Sequence, residues 1–315
     1  MPLNYTRTAV LLAALTGILL GIGSLIGGQS GLIVAFMIAL VMNGVSFWKS
    51  DELVRHFAGA VEVDRQTAPE YYDMVAELAR RAELPMPRVY MMNTPQPNAF
   101  ATGRSPERAA VCASSGLFEL LSREEIAGVL AHELAHIKNR DTLTMTVAAT
   151  IGGAISMLAQ WVQFSALFGG SRNGQNSGSR IATFAAMLLA PIAAMLVQMA
   201  ISRSREYQAD RLGATICGNP LWLASALGRI HSAVRGIPNL EAERVPAMAP
   251  LYIINPLTGG GIDNLFSTHP NTENRIAALQ ELAGEMGISD QRARGPVGRD
   301  ALGAGALPRR RGPWG

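Results

Sequence analysis

The sequence predicts a mainly α-helical α+β protein that carries two transmembrane helical hairpins. Charged residues make up only 16% of the 315 residues, against roughly 25% in typical soluble domains. The mean hydropathy is positive, at +0.18, and charges are absent from two long regions. The stretches between these regions have ordinary charge density and predict helices with a few short strands. An ordinary cytosolic globule is therefore not expected, and a hydrophobic content of 49% argues against disorder.

The first hairpin is predicted in residues 1–50. From Thr8 to Trp48, 41 consecutive residues contain no Asp, Glu, Lys or Arg, and a membrane helix needs about 20 apolar residues. The glycine-rich segment Gly27–Gly31 predicts the turn between two such helices. A cleaved signal peptide is the alternative, but its apolar region spans only about 7–15 residues. Basic residues flank both ends of the hairpin, which predicts that both ends face the cytoplasm.

A second membrane hairpin is predicted in residues 142–202. Thr142–Ser171 and Ile181–Ser202 are free of charge, and a polar loop rich in Gly, Ser and Asn joins them. The alternative is a helical hairpin buried in a soluble protein, because two glutamines interrupt the first stretch and Pro191 interrupts the second. Proline is tolerated in membrane helices, so it does not decide between the two. We expect the hairpin to insert into or associate with the bilayer.

The charged stretches 51–141 and 203–290 are predicted to be the two parts of one folded domain. Tyr71–Leu84 has the apolar spacing of an amphipathic helix. Arg88–Met92 and Ala109–Ala113 are short apolar runs bounded by Pro, Gly and Ser, which predicts two strands.

The basic tail, residues 291–315, is predicted to be disordered because it is rich in Gly, Pro, Ala and Arg and has little to bury. It contains six Arg and one Asp, so the net charge of +3 belongs to the tail and does not indicate nucleic-acid binding. With two cysteines only, Cys112 and Cys217, the chain has neither a disulfide framework nor a cysteine-based zinc site.

A helix that begins after Ser122 carries the strongest chemical motif. Ser122 and Glu125 form a capping-box pattern, and the helix they open contains His132, Glu133 and His136. Side chains four residues apart share a helix face, so the two imidazoles can bind one zinc ion. Glu133 is rotated by about 100° from His132 and can reach a water on the metal without being a ligand. We therefore expect Glu133 to act as the catalytic base.

Two histidines leave a catalytic zinc one protein ligand short. Glu206 and Asp210 again lie four residues apart, directly after the second predicted hairpin. Glu206 as the third ligand, with Asp210 accepting the outer N–H of a zinc-bound imidazole, is a chemically sensible arrangement. The alternative is a pair of solvated acids beside the neighbouring arginines.

The chain resembles the HtpX membrane metalloproteases, which are relatives of the CAAX prenyl endopeptidases. The resemblance rests on residues 132–141 (HELAHIKNRD), 206–210 (EYQAD), 98–103 (NAFATG) and 268–270 (THP). It implies a zincin-type fold, one Zn²⁺ per subunit bound by His132, His136 and Glu206, and Glu133 as base. It also implies a multi-pass protein of the bacterial inner membrane, with its protease domain in the cytoplasm, that degrades damaged membrane proteins under stress.

Two further groups of residues are candidates for the site. Asn98, Ala99, Phe100 and Ala101 are interpreted as an exposed edge strand that pairs with an extended substrate; the alternative is a loop that ends in a buried Phe100.

The second group contains the residues that we expect to donate a hydrogen bond to the oxyanion formed during peptide hydrolysis. His269 is the first candidate, with Arg275 as its support or substitute, and Tyr207 is another. A structural role for His269 is the alternative.

The leading functional hypothesis is a zinc endopeptidase that cleaves cytoplasmic or juxtamembrane segments of misfolded membrane proteins. Its expected partners are unfolded or damaged proteins and the lipid bilayer, and not nucleic acid. One alternative is a CAAX-type prenyl protease, which we expect to have more membrane helices. The other is a non-catalytic scaffold or chaperone with a structural zinc, although such sites normally close all four positions with protein ligands.

Overall fold

The computed structural model describes residues 2–57, 59–145, 203–234, 252–253 and 270–288. Nearly all of the second predicted hairpin and the whole basic tail lie outside the described residues.

A small mixed sheet forms one side of the fold. Its strands are β1 (Ala60–Glu62), β2 (Arg88–Met92), β3 (Ala99–Thr102) and β4 (Ala110–Ser114). The order is β1-β2-β4-β3, with β2 parallel to β4 and the other two pairs antiparallel. The predicted strand at Arg88–Met92 is confirmed, and the second predicted strand begins and ends one residue later than expected. β3 forms one edge of the sheet.

Helices make up most of the described chain, as predicted. They are α1 (Pro2–Phe57), α2 (Pro69–Arg81), α3 (Ser115–Leu120), α4 (Arg123–Asn139), α5 (Arg203–Cys217), α6 (Pro220–Val234) and α7 (Thr272–Glu285). The helix predicted at Tyr71–Leu84 is α2, which begins and ends earlier than expected. Pro69 occupies its first turn, where the missing N–H costs nothing. Past its end, the backbone turns into the left-handed region at Glu83 (φ 55°).

α4 is the central helix of the described fold. It packs against β3 and β4 on one side and against α2, α5 and α6 on the others, and most of its residues from Glu125 onward are buried. The predicted capping box is confirmed: the Ser122 hydroxyl accepts from the Glu125 N–H, and the Glu125 carboxylate accepts from the Ser122 N–H. The same carboxylate also accepts from Ser225 at 2.6 Å and Arg229 at 2.9 Å, which fixes α4 to α6.

α1 reverses its direction within the segment that the sequence predicts as a turn. Gly28 has a φ of 56°, and a Cβ at Gly23 would collide with Gly31 and Ala35. Residues eight positions apart in a straight α-helix would be about 12 Å apart, so this contact requires the chain to fold back on itself.

Among the described residues, no helix combines the length and the apolar character that a membrane span requires.

Replacing Gly128 with Ala should destabilise the fold because α4 and α6 touch there. A Cβ at Gly128 would lie 2.7 Å from the Leu223 nitrogen, which is backbone and cannot rotate away. Forcing the helices apart should cost about 1–3 kcal/mol of unfolding free energy. Denaturation in detergent measures this loss.

Gly228 on α6 is the matched control. A Cβ there meets only the end of Ile276, at 3.8 Å. Gly228→Ala should therefore stabilise the chain by about 0.4–1 kcal/mol through a less flexible unfolded state. Equal effects of the two substitutions would show that close packing at Gly128 is not the cause.

Candidate metal centre

Three side chains from two helices converge in the interior. His132 and His136 lie one turn apart on α4, and their Nε2 atoms are 3.2 Å apart. Glu206, on α5, places its Oε2 3.6 Å from Nε2 of His132 and its Oε1 3.6 Å from Nε2 of His136. All three side chains are about 2–3% exposed. The structure thus brings together the three residues that the sequence predicts as metal ligands.

The spacing and chemistry of this cluster fit a zinc ion. A tetrahedral zinc with bonds of about 2.0–2.2 Å holds its ligand atoms roughly 3.3–3.6 Å apart. The Nε2 atoms of the two histidines are 3.2 Å apart, and each lies 3.6 Å from an oxygen of Glu206, so the separations match that spacing. Two imidazoles and a carboxylate are a donor set that zinc accepts, and three protein ligands leave the fourth position open. Open sites of this kind are typical of catalytic zinc rather than structural zinc.

Asp210 and Arg275 form a buried pair behind His132. The Asp210 Oδ1 is 2.9 Å from Nδ1 of His132. Arg275, on α7, donates from Nε and Nη2 to the two oxygens of Asp210 at 2.8 and 2.6 Å. Its Nη1 donates to the Ile253 carbonyl at 3.1 Å. A fixed carboxylate therefore faces the outer nitrogen of one candidate metal ligand.

The neighbouring charges shift the pKa values of His132 and Asp210. Burial alone would lower the pKa of His132, but the carboxylates of Asp210 and Glu206 outweigh it and raise that pKa to about 9. Burial alone would raise the pKa of Asp210, but the Arg275 guanidinium and His132 hold it below its ordinary value. Both shifts reflect a site that attracts positive charge.

His136 has a similar partner on its outer side. The Asp141 Oδ2 is 3.3 Å from Nδ1 of His136, and the Asp141 Oδ1 is 3.7 Å from Nη1 of Arg205. Asp141 and Arg205 are both buried. The sequence analysis assigned no role to either residue, although Asp141 closes the HELAHIKNRD motif.

The centre buries more negative than positive charge. Besides the imidazoles of His132 and His136, which must be neutral to bind a metal, its buried ionisable groups among the described residues are four carboxyl groups and two guanidinium groups: Glu133, Asp141, Glu206, Asp210, Arg205 and Arg275. Uncompensated buried charge costs several kcal/mol per ion. A divalent cation between the two histidines would balance the difference.

Glu133 lies beside the ligands without belonging to their cluster. It is buried, and burial raises the pKa of its carboxyl group above the ordinary value. The backbone N–H of Ala101, on the edge strand β3, faces this carboxylate and favours its ionised form, which partly offsets the effect of burial on the pKa. Glu133 is therefore next to both the metal ligands and the edge of the sheet.

The outer edge of β3 consists of the backbone groups of Ala99 and Ala101. The Ser114 N–H donates to the Asn98 carbonyl at 2.9 Å, so Asn98, and then every second residue, hydrogen-bonds to β4. Ala99 and Ala101 alternate with these residues and point their N–H and C=O groups away from β4. β3 is thus an edge strand of the described sheet and begins at Ala99, one residue later than expected. The predicted exposure is wrong, because Asn98 and all four residues of the strand, Phe100 included, are buried.

The expected oxyanion donors have different positions. Arg275 does not fit that role, because its guanidinium is only 1% exposed and is fully engaged by Asp210 and Ile253. Tyr207 is half-buried, directly after Glu206 on α5. His269 lies outside the described residues.

Gly213 allows α5 to approach the metal ligands closely. It lies on the same face of α5 as Glu206 and Asp210, and a Cβ at this position would be 2.9 Å from the backbone of His132. The sequence analysis missed this residue. The spacing of Glu206, Asp210 and Gly213, at positions i, i+4 and i+7, is the signal that could have indicated it.

Glu206→Ala should abolish stable zinc binding, because two histidines alone do not hold the ion. Asp210→Asn should lower zinc affinity by about 10–100-fold, as expected for an outer hydrogen-bond partner of a ligand. Zinc content and affinity of the purified chain measure both effects, with the exposed Gln208→Ala on the same helix as control. If Glu206→Ala retains full zinc, the third ligand lies elsewhere, and His269 is the next candidate.

Two comparisons with known proteins extend these observations. The crystal structure of S. mikatae Ste24p is similar, with a TM-score of 0.44 and 18% sequence identity. The match covers 88% of this chain and 64% of that chain, so this chain spans less than two thirds of the Ste24p length. Residues 65–283 match Peptidase family M48, in agreement with the resemblance to the HtpX proteases. This match includes every candidate ligand and covers well over half of the sequence, so the chain belongs to peptidase family M48.

Proposed function

We propose that this protein is a membrane-associated zinc endopeptidase that cleaves unfolded segments of other membrane proteins on the cytoplasmic side. The observation that carries the proposal is the position of Glu133, a buried carboxylate beside a three-ligand metal centre and against an edge strand. A structural zinc site does not require a carboxylate beside the ligands that can accept a proton.

Glu133 is suited to move the proton in peptide hydrolysis. Zinc held by His132, His136 and Glu206 would supply a Lewis acid that polarises the peptide carbonyl and lowers the pKa of water. Glu133 accepts the proton of the attacking water as the C–O bond forms. It then donates that proton to the amide nitrogen as the C–N bond breaks. Its raised pKa suits both steps, because a group that accepts and then releases a proton works best with a pKa near the ambient pH.

β3 provides a place for an extended substrate. The outward N–H and C=O of Ala99 and the outward C=O of Ala101 can pair with a peptide added as a further strand, while the Ala101 N–H faces Glu133. A bound peptide would thus run past the base and the metal ligands. Only an extended segment can pair in this way, so folded cores are excluded as substrates.

Association with a membrane is supported by the first helix. In α1, the side chains of eight large apolar residues between positions 32 and 41 are 41–61% exposed: Leu32, Ile33, Val34, Phe36, Met37, Ile38, Leu40 and Val41. An exposed apolar surface of this kind marks an interaction with lipid or protein. With the flanking basic residues, it supports a bacterial inner-membrane protein whose 51–141 and 203–290 parts form one cytoplasmic protease domain.

The position of the metal centre beside the predicted second hairpin supports a role in the quality control of membrane proteins. Asp141 directly precedes the second predicted hairpin and Arg205 closely follows it, yet the two residues lie within 3.7 Å of each other at the metal centre. The catalytic residues are therefore tied to both ends of a predicted membrane segment. Substrates within reach are loops and juxtamembrane stretches that have lost their fold.

Glu133→Gln should reduce proteolysis by about 10²–10⁴-fold while the chain keeps its zinc, because the amide preserves the shape but cannot accept a proton. The assay is casein cleavage beside zinc content, on detergent-purified protein. Glu124→Gln, an exposed acid on the same helix, is the matched control and should change neither.

Zinc loss in parallel with activity would make Glu133 a ligand. A wild-type chain that binds zinc yet cleaves nothing would favour the scaffold alternative.

Cleavage sites in a model membrane substrate should cluster in cytoplasmic loops and juxtamembrane stretches. The metal centre adjoins the ends of the predicted second hairpin, and a helix rises only about 1.5 Å per residue, so bonds near the membrane surface are within reach. Mass spectrometry of the products maps the cuts. Cuts at the middle of a transmembrane helix, or on its periplasmic side, would contradict both the topology and the role.

A further inference from the structure

We propose that Asp141 and Arg205 are positioning residues that orient His136 for metal binding, as Asp210 and Arg275 orient His132. The inference rests on the proposed function, because it treats His136 as a metal ligand. It assigns a role to two residues that lie far apart in the sequence, at the two ends of the predicted second hairpin.

The end of α4 places Asp141 under the imidazole. Arg140 adopts the left-handed conformation, with a φ of 60°, and this ends the helix. The Asp141 N–H then donates to the His136 carbonyl at 2.9 Å. This six-residue turn brings the Asp141 carboxylate back to the ring of the same histidine, 3.3 Å from its Nδ1. A non-glycine residue in this conformation is uncommon, so the turn is held against a local preference.

Arg205 is the charged partner of Asp141. It precedes Glu206 on α5, and its Nη1 lies 3.7 Å from the Asp141 Oδ1. The side chains of the arginine and the aspartate are only 8% and 2% exposed. Attraction between opposite charges is much stronger in such a low-dielectric setting than at the surface. Arg205 therefore holds the Asp141 carboxylate in place between the end of α4 and the start of α5.

The position of Asp141 determines which nitrogen of His136 faces the metal site. A carboxylate at Nδ1 requires the proton to reside there, which leaves the Nε2 lone pair directed at His132 and Glu206. Without the carboxylate, the ring is free to rotate or to place its proton on Nε2. Each metal-binding histidine of the centre thus has its own aspartate, and each aspartate its own arginine.

The two aspartate–arginine pairs differ in the distance between their charged atoms. Arg275 holds Asp210 through two hydrogen bonds of 2.6 and 2.8 Å, whereas Arg205 approaches Asp141 only to 3.7 Å. We therefore expect the loss of Asp141 to cost less than the loss of Asp210. Asp141→Asn should lower zinc affinity by about tenfold, at the lower end of the range for such partners.

The test is zinc affinity of the full chain in detergent, measured by competition with a chromophoric chelator. The variants are Asp141→Asn and Arg205→Lys, which keeps the charge but shortens the reach to Asp141. Glu125→Gln is the matched control. Glu125 is also a buried acid of the α4 region paired with an arginine, but it lies far from the metal ligands at the other end of the helix.

The visible spectrum of the Co²⁺-substituted chain is the second readout, because it reports ligand geometry independently of activity. We expect a weaker zinc affinity and an altered Co²⁺ spectrum for both variants. Glu125→Gln should lower the unfolding temperature and leave affinity and spectrum unchanged. If Asp141→Asn does not fold, Arg205→Lys carries the test.

Wild-type affinity and spectrum in the variants would overturn the inference and leave the proposed function intact. So would equal losses in Glu125→Gln, because these would indicate a general effect of stability. A wild-type chain that binds no zinc would overturn the proposed function, and this inference with it.

Discussion

The close packing of α4 against α5 is the constraint on which the metal centre depends. Two ligand imidazoles come from α4 and the carboxylate of Glu206 comes from α5, so their atoms meet only where the helices nearly touch. Gly213 permits this approach, because any side chain there would collide with the backbone of His132. Helices usually pack with axes about 8–10 Å apart, and small residues allow the shorter separations. The rest of the described fold holds these two helices in register.

Buried charge gives the centre its rigidity. Each ligand histidine faces a carboxylate, and each carboxylate faces an arginine. Burying such groups is costly unless every one is paired, and removing one partner leaves the other uncompensated. The arrangement therefore penalises any movement of α5, α7 or the end of α4 away from the ligands. Arg275, which also bonds to the Ile253 carbonyl, extends this constraint to a second segment of the chain.

The metal centre and the predicted second hairpin share their boundaries. α4 ends at Asn139, just before that segment, and α5 begins at Arg203, just after it. The Asp141–Arg205 pair joins the two ends. Under the proposed function, a protease whose ligands border a membrane segment has little freedom in where it cuts. Its reach is set by the position of α4 and α5 relative to the bilayer.

Local patterns determined much of this protein from the sequence alone. The capping box, the helix that carries His132 and His136, and the strand at Arg88–Met92 all depend on neighbouring residues, whose periodicity can be read directly. Even the convergence of Glu206 with the two histidines was predictable, because Glu206 and Asp210 share a helix face. The pairing of Arg275 with Asp210, the approach at Gly213 and the turn that returns Asp141 to His136 were decided only by the tertiary structure. Arg275 was expected to support or replace His269 at the oxyanion, and its guanidinium pairs with Asp210 behind His132. Such contacts join residues that are distant in sequence. A charged side chain has several possible partners in the sequence, and only the folded chain determines which of them is buried beside it.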